Sequence, residues 1–196
     1  MNNIFQEFEQ ILKLYIKDDF IKELPRKWNE SHRFYHNENH LIEIINNIEK
    51  NPDFKYLNVY EKHALLLAAF FHDVIYDPKR NDNEDKSIEF FKASFKNDDP
   101  KMINTVCYLI ETTKYRKKPL EKLANIFWKA DNQKFMKGYD ELIKNEQLIR
   151  KEYNHLSPKE YKEKRIKFLE SCKGLFNYNV DKDLDKLIKY INEKYK

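Results

Sequence analysis

Two glycines, Gly138 and Gly174, serve a chain of 196 residues. That scarcity restricts the fold more than any other feature. Tight hairpin turns draw on residues that tolerate positive φ, glycine above all. Loops that cradle phosphates on backbone N–H groups need clustered glycines so that the backbone can approach. Neither a phosphate-binding loop nor a dinucleotide fingerprint can be built here, so any phosphate must be held by side chains or a metal ion. Lys, Glu, Leu and Ile are abundant instead, which favours helix. The expectation is an all-α protein.

Apolar periodicity divides the chain into about nine helices. Ile4, Phe8, Ile11, Leu12 and Tyr15 recur at helical spacing, with Pro25 read as the end of that segment. A helix over about Asn37 to Lys50 places Leu41, Ile44, Ile45 and Ile48 on one face. The next, from about Val59 to His72, is apolar nearly all round and is expected at the centre of the core. A polar loop, Tyr76 to Asn83, follows. Further helices are expected over Glu84 to Phe95, Pro100 to Thr113, Pro119 to about Lys134, Gly138 to Asn154, Pro158 to Lys173 and Val180 to Tyr195. Ser157-Pro158 suits a helix start, since Pro at the first position lacks only a donor that would be orphaned there. No repeat or linker breaks the sequence, and 196 residues fit one domain.

The formal charge is +4 and the pI near 8.7, with Lys interleaved among Asp and Glu. Such interleaving describes a solvated surface rather than a nucleic-acid stripe, and its mild excess suits an anionic substrate. Cys107 and Cys172 fit no metal or redox spacing and are read as free thiols. The first twenty residues lack a signal-peptide core, and the longest apolar run, Ala64 to Phe71, is too short to span a bilayer. A cytoplasmic protein, with no membrane partner, is the expectation.

Three places carry chemistry. His36 and His40 are four apart, so on a helix they would share one face, and His40 continues the stripe of Ile44 and Ile48. An imidazole directed inward needs a polar partner; a backbone carbonyl would serve, as would a metal ion. His72-Asp73 ends the apolar helix abruptly, and both side chains are good ligands for divalent ions; a terminus meeting water is the plainer account. Asp131 falls on the continuation of the face formed by Leu120, Leu123, Ala124 and Phe127, where a carboxylate needs a salt bridge or an ion. Taken together, two imidazoles and two carboxylates form a hydrolytic metal set, because a bound divalent ion lowers the pKa of its water toward neutrality.

In this order, His40, then His72-Asp73 about 30 residues on, then the distant Asp131, the chain resembles the HD superfamily of metal-dependent phosphohydrolases. Tyr35-His36-Asn37 with His40 also looks like the signature of cyclic-nucleotide phosphodiesterases, where the first His is the general acid. Carried over, His36 is the acid and His40 a ligand. The likeness is greatest to a bacterial group of predicted HD phosphohydrolases. It extends through Tyr76-Asp77, Asn83-Glu84 with Ser87, Thr113, Ala130-Asp131, Arg150 with Glu152-Tyr153, and Arg165 with Phe168-Leu169, over about residues 28–178. It implies an HD-domain helical bundle and a divalent metal. The chain departs from the group's pattern at Lys114-Tyr115-Arg116, where a His is usual, at Lys129, where an acid is usual, and at Ile88. The missing His argues against a second metal.

Glu84 is the candidate to orient water or act as base, although a carboxylate near a helix start is also favoured by the helix dipole. Arg150 and Arg165 are candidate phosphate grips, since a guanidinium meets phosphate oxygens with a fork of donors. Tyr153 joins them through the motif it shares with Arg150. For Asp77, Lys114, Arg116, His32, His63 and His155, surface pairing or packing is the plainer account, and Trp28 and Trp128 read as packing. The expected function is hydrolysis of a phosphate ester, of a nucleotide or small phosphometabolite, with one divalent ion (Mn, Mg, Fe, Ni or Zn). The alternatives are an HD fold kept as a ligand-binding module and a diiron oxygenase. The sequence leaves open whether the helix after Val180 packs on this chain or on a partner.

Overall fold

The computed structural model describes residues 3–114 and 117–195. Among them are eleven α-helices, two short 3-10 turns and no strand. The helices are α1 (Ile4–Glu7), α2 (Glu9–Tyr15), α3 (Asp18–Trp28), α4 (Glu38–Glu49), α5 (Val59–Phe71), α6 (Asn83–Ser94), α7 (Pro100–Lys114), α8 (Lys122–Asn132), α9 (Tyr139–Glu152), α10 (Pro158–Cys172) and α11 (Tyr178–Lys194). The fold class is all-α, as expected, with two more helices than the nine anticipated. No helix among the described residues is long and apolar enough to cross a membrane.

Both extra helices come from the N-terminal segment. The stretch read as one helix breaks at Phe8 into α1 and α2. Pro25 does not end a helix but lies inside α3. There Ile21, Leu24 and Trp28 form a buried stripe, and that burial outweighs the one intrahelical hydrogen bond that proline forgoes. The Asn29 amide donates to the Pro25 carbonyl at 2.9 Å and closes the turn. The expected helix from Pro119 begins only at Lys122, and Leu120 is 94% exposed rather than part of the apolar face. The Asn125 side chain donates to the Pro119 carbonyl and fixes that segment as a turn.

α5 is the centre of the larger apolar cluster, with Ala64–Phe71 wholly inside, and it packs against α4, α6, α7 and α8. Asn58 starts it with a reciprocal capping box to Glu61. A second cluster is built by α9, α10 and α11 with Phe135. The last helix therefore packs on α9 and α10 of its own chain. Trp128, at the edge of the first cluster, stacks on Phe176 at 5.3 Å, which makes it a packing residue. Gly138 and Gly174 both have positive φ, at the entry to α9 and just after α10, where a side chain would be strained.

Candidate metal centre

The site forms where α4, the end of α5 and the end of α8 meet. Asn37 caps α4 by accepting from Asn39 N, which starts the helix in a phase that points His40 inward with Leu41 and Ile44. His72 closes α5, its N–H donating to Ala68 O. Asp131 is the penultimate residue of α8, one turn beyond the buried Phe127. The Asn47 amide ties α4 to α8 by donating to Ala130 O at 3.1 Å.

Four side chains converge. His40 Nε2 lies 3.5 Å from Asp131 Oδ1 and 4.0 Å from Asp73 Oδ2, and His72 Nε2 is 3.1 Å from Asp73 Oδ2. His40 is 4% exposed and His72 1%. Yet His40 Nδ1, His40 Nε2 and His72 Nε2 are buried with no hydrogen-bond partner. His72 Nδ1 donates to Ala69 O at 2.9 Å; in the neutral ring this fixes the tautomer and turns the Nε2 lone pair to the cluster. Ligand atoms of His40, His72 and Asp73 lie within 4.8 Å of one another, and Asp131 adds the second carboxylate through its proximity to His40.

The protonation states follow from burial and neighbours. Burial is the largest influence on His40 and brings it down to about 4, so the ring is neutral. Burial opposes the charged forms of Asp73 and Asp131 as well. For Asp73 the facing His72, His36 and His40 outweigh it; for Asp131, Lys134, His40 and His72 do so. Both carboxylates are held below their usual range. His72 moves the other way: burial lowers it, but Asp73 and Asp131 prevail and raise it. Ionised carboxylates and the neutral His40 are forms that bind divalent ions, and His72, favoured in its protonated form by the two carboxylates, would release that proton on binding; buried imidazole nitrogens without a partner are what such an ion would satisfy. The residues fit the group.

A cavity of about 670 Å³ opens on this cluster, with His36, His72, Asp73, Glu84, Asp131 and Lys134 in its wall. His36 is held from behind. Its Nδ1 is 2.7 Å from Glu152 Oε2, and its ring stacks on Tyr76 at 4.3 Å. The other carboxylate oxygen of Glu152 accepts the backbone N–H groups of Phe34, Tyr35 and His36, and Tyr76 OH donates to Oε2. Glu84 is raised chiefly by burial, with Asp73 adding to it. It lies in the first turn of α6, as expected of a residue favoured by the helix dipole, and it also faces the cavity.

Tyr153 and Arg165 line the cavity too. Arg150 does not: its guanidinium donates to the carbonyls of Tyr153 and Leu156 and stacks on Tyr161, which makes it a clamp on the end of α9. Lys129 is exposed, so the departure there leaves the site untouched. Lys114 pairs with Asp85. Asp77 is engaged with its own loop through Asn83 and Lys79. His32 contacts Tyr76 O, and His63 contacts Tyr15 OH. Tyr115 and Arg116 lie outside the described residues.

Three residues of the site were not singled out from the sequence. Arg33, 5% exposed, donates to the carbonyls of His36, Asp73 and Val74 and pairs with Glu30, so it joins the two ligand-bearing segments. Lys134 places its ammonium 3.8 Å from Asp131 Oδ1 and 5.1 Å from the Tyr35 ring centre. Glu152, noted only as part of a motif, is the partner of His36. Arg33 offers no readable signal, since its partners are backbone carbonyls. Lys134 does offer one, being three residues after Asp131. A scan of protein-family models gives no match to the chain, and no curated protein matches it.

Proposed function

We propose that this chain is an HD-type metal-dependent phosphohydrolase acting on a nucleotide or small phosphorylated metabolite. One observation carries the proposal: two buried imidazoles, with three partnerless nitrogens between them, face two ionised carboxylates at the wall of a cavity. A core histidine kept for packing would find a carbonyl or a hydroxyl for its polar atoms. His40, His72, Asp73 and Asp131 would hold one divalent ion, which supplies charge neutralisation at phosphorus and acidifies water.

The remaining work falls to the chain's own groups. Glu152 fixes the His36 ring through Nδ1 and leaves Nε2 for the cavity, where a protonated ring can give its proton to the departing oxygen. Glu84, its pKa raised by burial, is suited to accept a proton from the attacking water. Lys134 sets a fixed cation beside Asp131, where it can meet phosphoryl oxygens. Tyr153 and Arg165 extend the substrate contact along α9 and α10.

The test is hydrolysis across a panel of nucleotides and phosphometabolites with added manganese, wild type against Asp73→Ala. Activity lost in the variant supports the proposal. A manganese-loaded wild type that cleaves nothing would turn the reading toward a ligand-binding module.

A further inference from the structure

Carboxylates line only one part of the cavity, although cations line more of it. Its three lining carboxylates, Asp73, Glu84 and Asp131, gather at the ion-binding set. The wall supplied by α9, α10 and α11 has no carboxylate among its lining residues; it presents Lys164 and Arg165, with Asn145 and Tyr161, amid apolar side chains such as Phe168 and Leu187.

Arg165 is built into this wall. Its Nε donates to Glu146 Oε2 at 2.7 Å, and the wholly buried Glu146 also accepts Tyr161 OH at 2.7 Å. The guanidinium rests on the Phe168 ring at 4.8 Å, and its side chain is 13% exposed. Neither Nη makes a hydrogen bond to a described residue. A guanidinium pinned along one edge and lining a cavity with the other is preorganised for an oxyanion. Lys164, next to it on α10, adds a second cation. This pair is set apart from the ion end. Lys164 and Arg165 are carried by α10, whereas the ion-binding residues come from α4, the end of α5 and α8.

We infer that the cavity takes a phosphate ester bearing a second anionic group, with the reacting phosphate at the His40–His72–Asp73–Asp131 end and the second group on Arg165 and Lys164. The first half rests on the phosphohydrolase proposal; the second stands on α10 alone. A cavity of about 670 Å³ has room for both groups and a body between them.

Phosphonates resist hydrolysis and separate binding from turnover. With the manganese-loaded protein, at equal free manganese, calorimetry should give butane-1,4-bisphosphonate a Kd at least tenfold below that of butylphosphonate, or 4-phosphonobenzoate one tenfold below that of phenylphosphonate. The Glu146→Gln/Arg165→Met variant removes both members of the buried pair, so no charge is stranded; it should reduce the preference to within about twofold. The exposed Lys164→Met change, which poses no risk to folding, should cut it at least threefold by itself. Equal affinities within both pairs, or a preference untouched by Lys164→Met, overturns the inference. A preference without hydrolysis of any ester keeps this subsite and sinks the phosphohydrolase proposal; hydrolysis without a preference does the reverse.

Discussion

The carboxylate of Glu152 holds His36 twice, through the ring Nδ1 at 2.7 Å and through the His36 backbone N–H at 2.9 Å. Glu152 is the last residue of α9, and His36 lies in the loop before α4. The same carboxylate collects the N–H groups of Phe34 and Tyr35 and the hydroxyl of Tyr76. One side chain at the end of α9 therefore fixes the loop that carries the candidate acid, and it does so at 2% exposure.

That arrangement makes stability depend on acid. Burial alone would raise Glu152, but His36 and the backbone donors outweigh it and bring the group down to about 2. A depressed carboxylate contributes stability that is complete above its unfolded pKa near 4.5 and is lost as pH falls through about 2. Glu152→Gln should therefore cost roughly 2–3 kcal/mol at pH 7, and the gap to wild type should close between pH 4.5 and 2. Urea unfolding at pH 7 and pH 3 reads both. A gap that stays constant across that range would mean that Glu152 is not ionised in the folded protein.

Arg33 supports the second prediction. It lies 5% exposed and donates to three carbonyls, those of His36, Asp73 and Val74. Lys has a single nitrogen and cannot reproduce that fan of donors. Arg33→Lys should leave buried carbonyls unmet, lowering stability by about 2–3 kcal/mol and weakening manganese binding about tenfold as Asp73 shifts. Thermal unfolding and a manganese titration read the two effects. Wild-type manganese affinity in a destabilised Arg33→Lys protein would show that Arg33 serves the fold alone.

A third prediction concerns His40. Its two ring nitrogens are buried without partners, and an unmet polar group of that kind costs about 1–3 kcal/mol. In metal-free protein His40→Leu should raise stability by about 1 kcal/mol or more. In the wild type, manganese at a hundred times its Kd should add about 2.7 kcal/mol, and the variant should lose that gain. A His40→Leu protein less stable than wild type under chelator would place a hydrogen bond on His40 and remove the argument for an ion.

The converging side chains were legible because they lie on periodic elements. His40 continues the stripe of Ile44 and Ile48, and His72-Asp73 ends the most apolar helix, so pattern alone placed three of the converging groups. Asp131 was legible for the same reason, even though one residue of its supposed face, Leu120, proved to be exposed. What stayed hidden depends on long-range pairing. Nothing local ties Glu152 to His36, more than a hundred residues away, or directs Arg33 to the carbonyls after α5. Arg150, read as a phosphate grip, is instead claimed by two carbonyls at the end of its own helix, a competition that composition does not reveal. Pro25 misled for a simpler reason: the buried stripe of α3 outweighs one lost hydrogen bond.

Lys134 supplies the last prediction. Its ammonium lies 3.8 Å from Asp131 Oδ1, and the 3-10 turn Gln133–Met136 directly after α8 is what carries it there. A cation so close to the proposed ion-binding set would repel an incoming ion while favouring an incoming phosphate. Lys134→Met should therefore tighten manganese binding by an amount on the order of tenfold and weaken inorganic phosphate binding to the manganese-loaded protein by a similar factor. Calorimetric titrations of manganese and then of phosphate measure the two separately. Opposite changes support a substrate-facing lysine. If both affinities fall together, Lys134 is needed to shape the site, and its role is to position Asp131 rather than to meet the substrate.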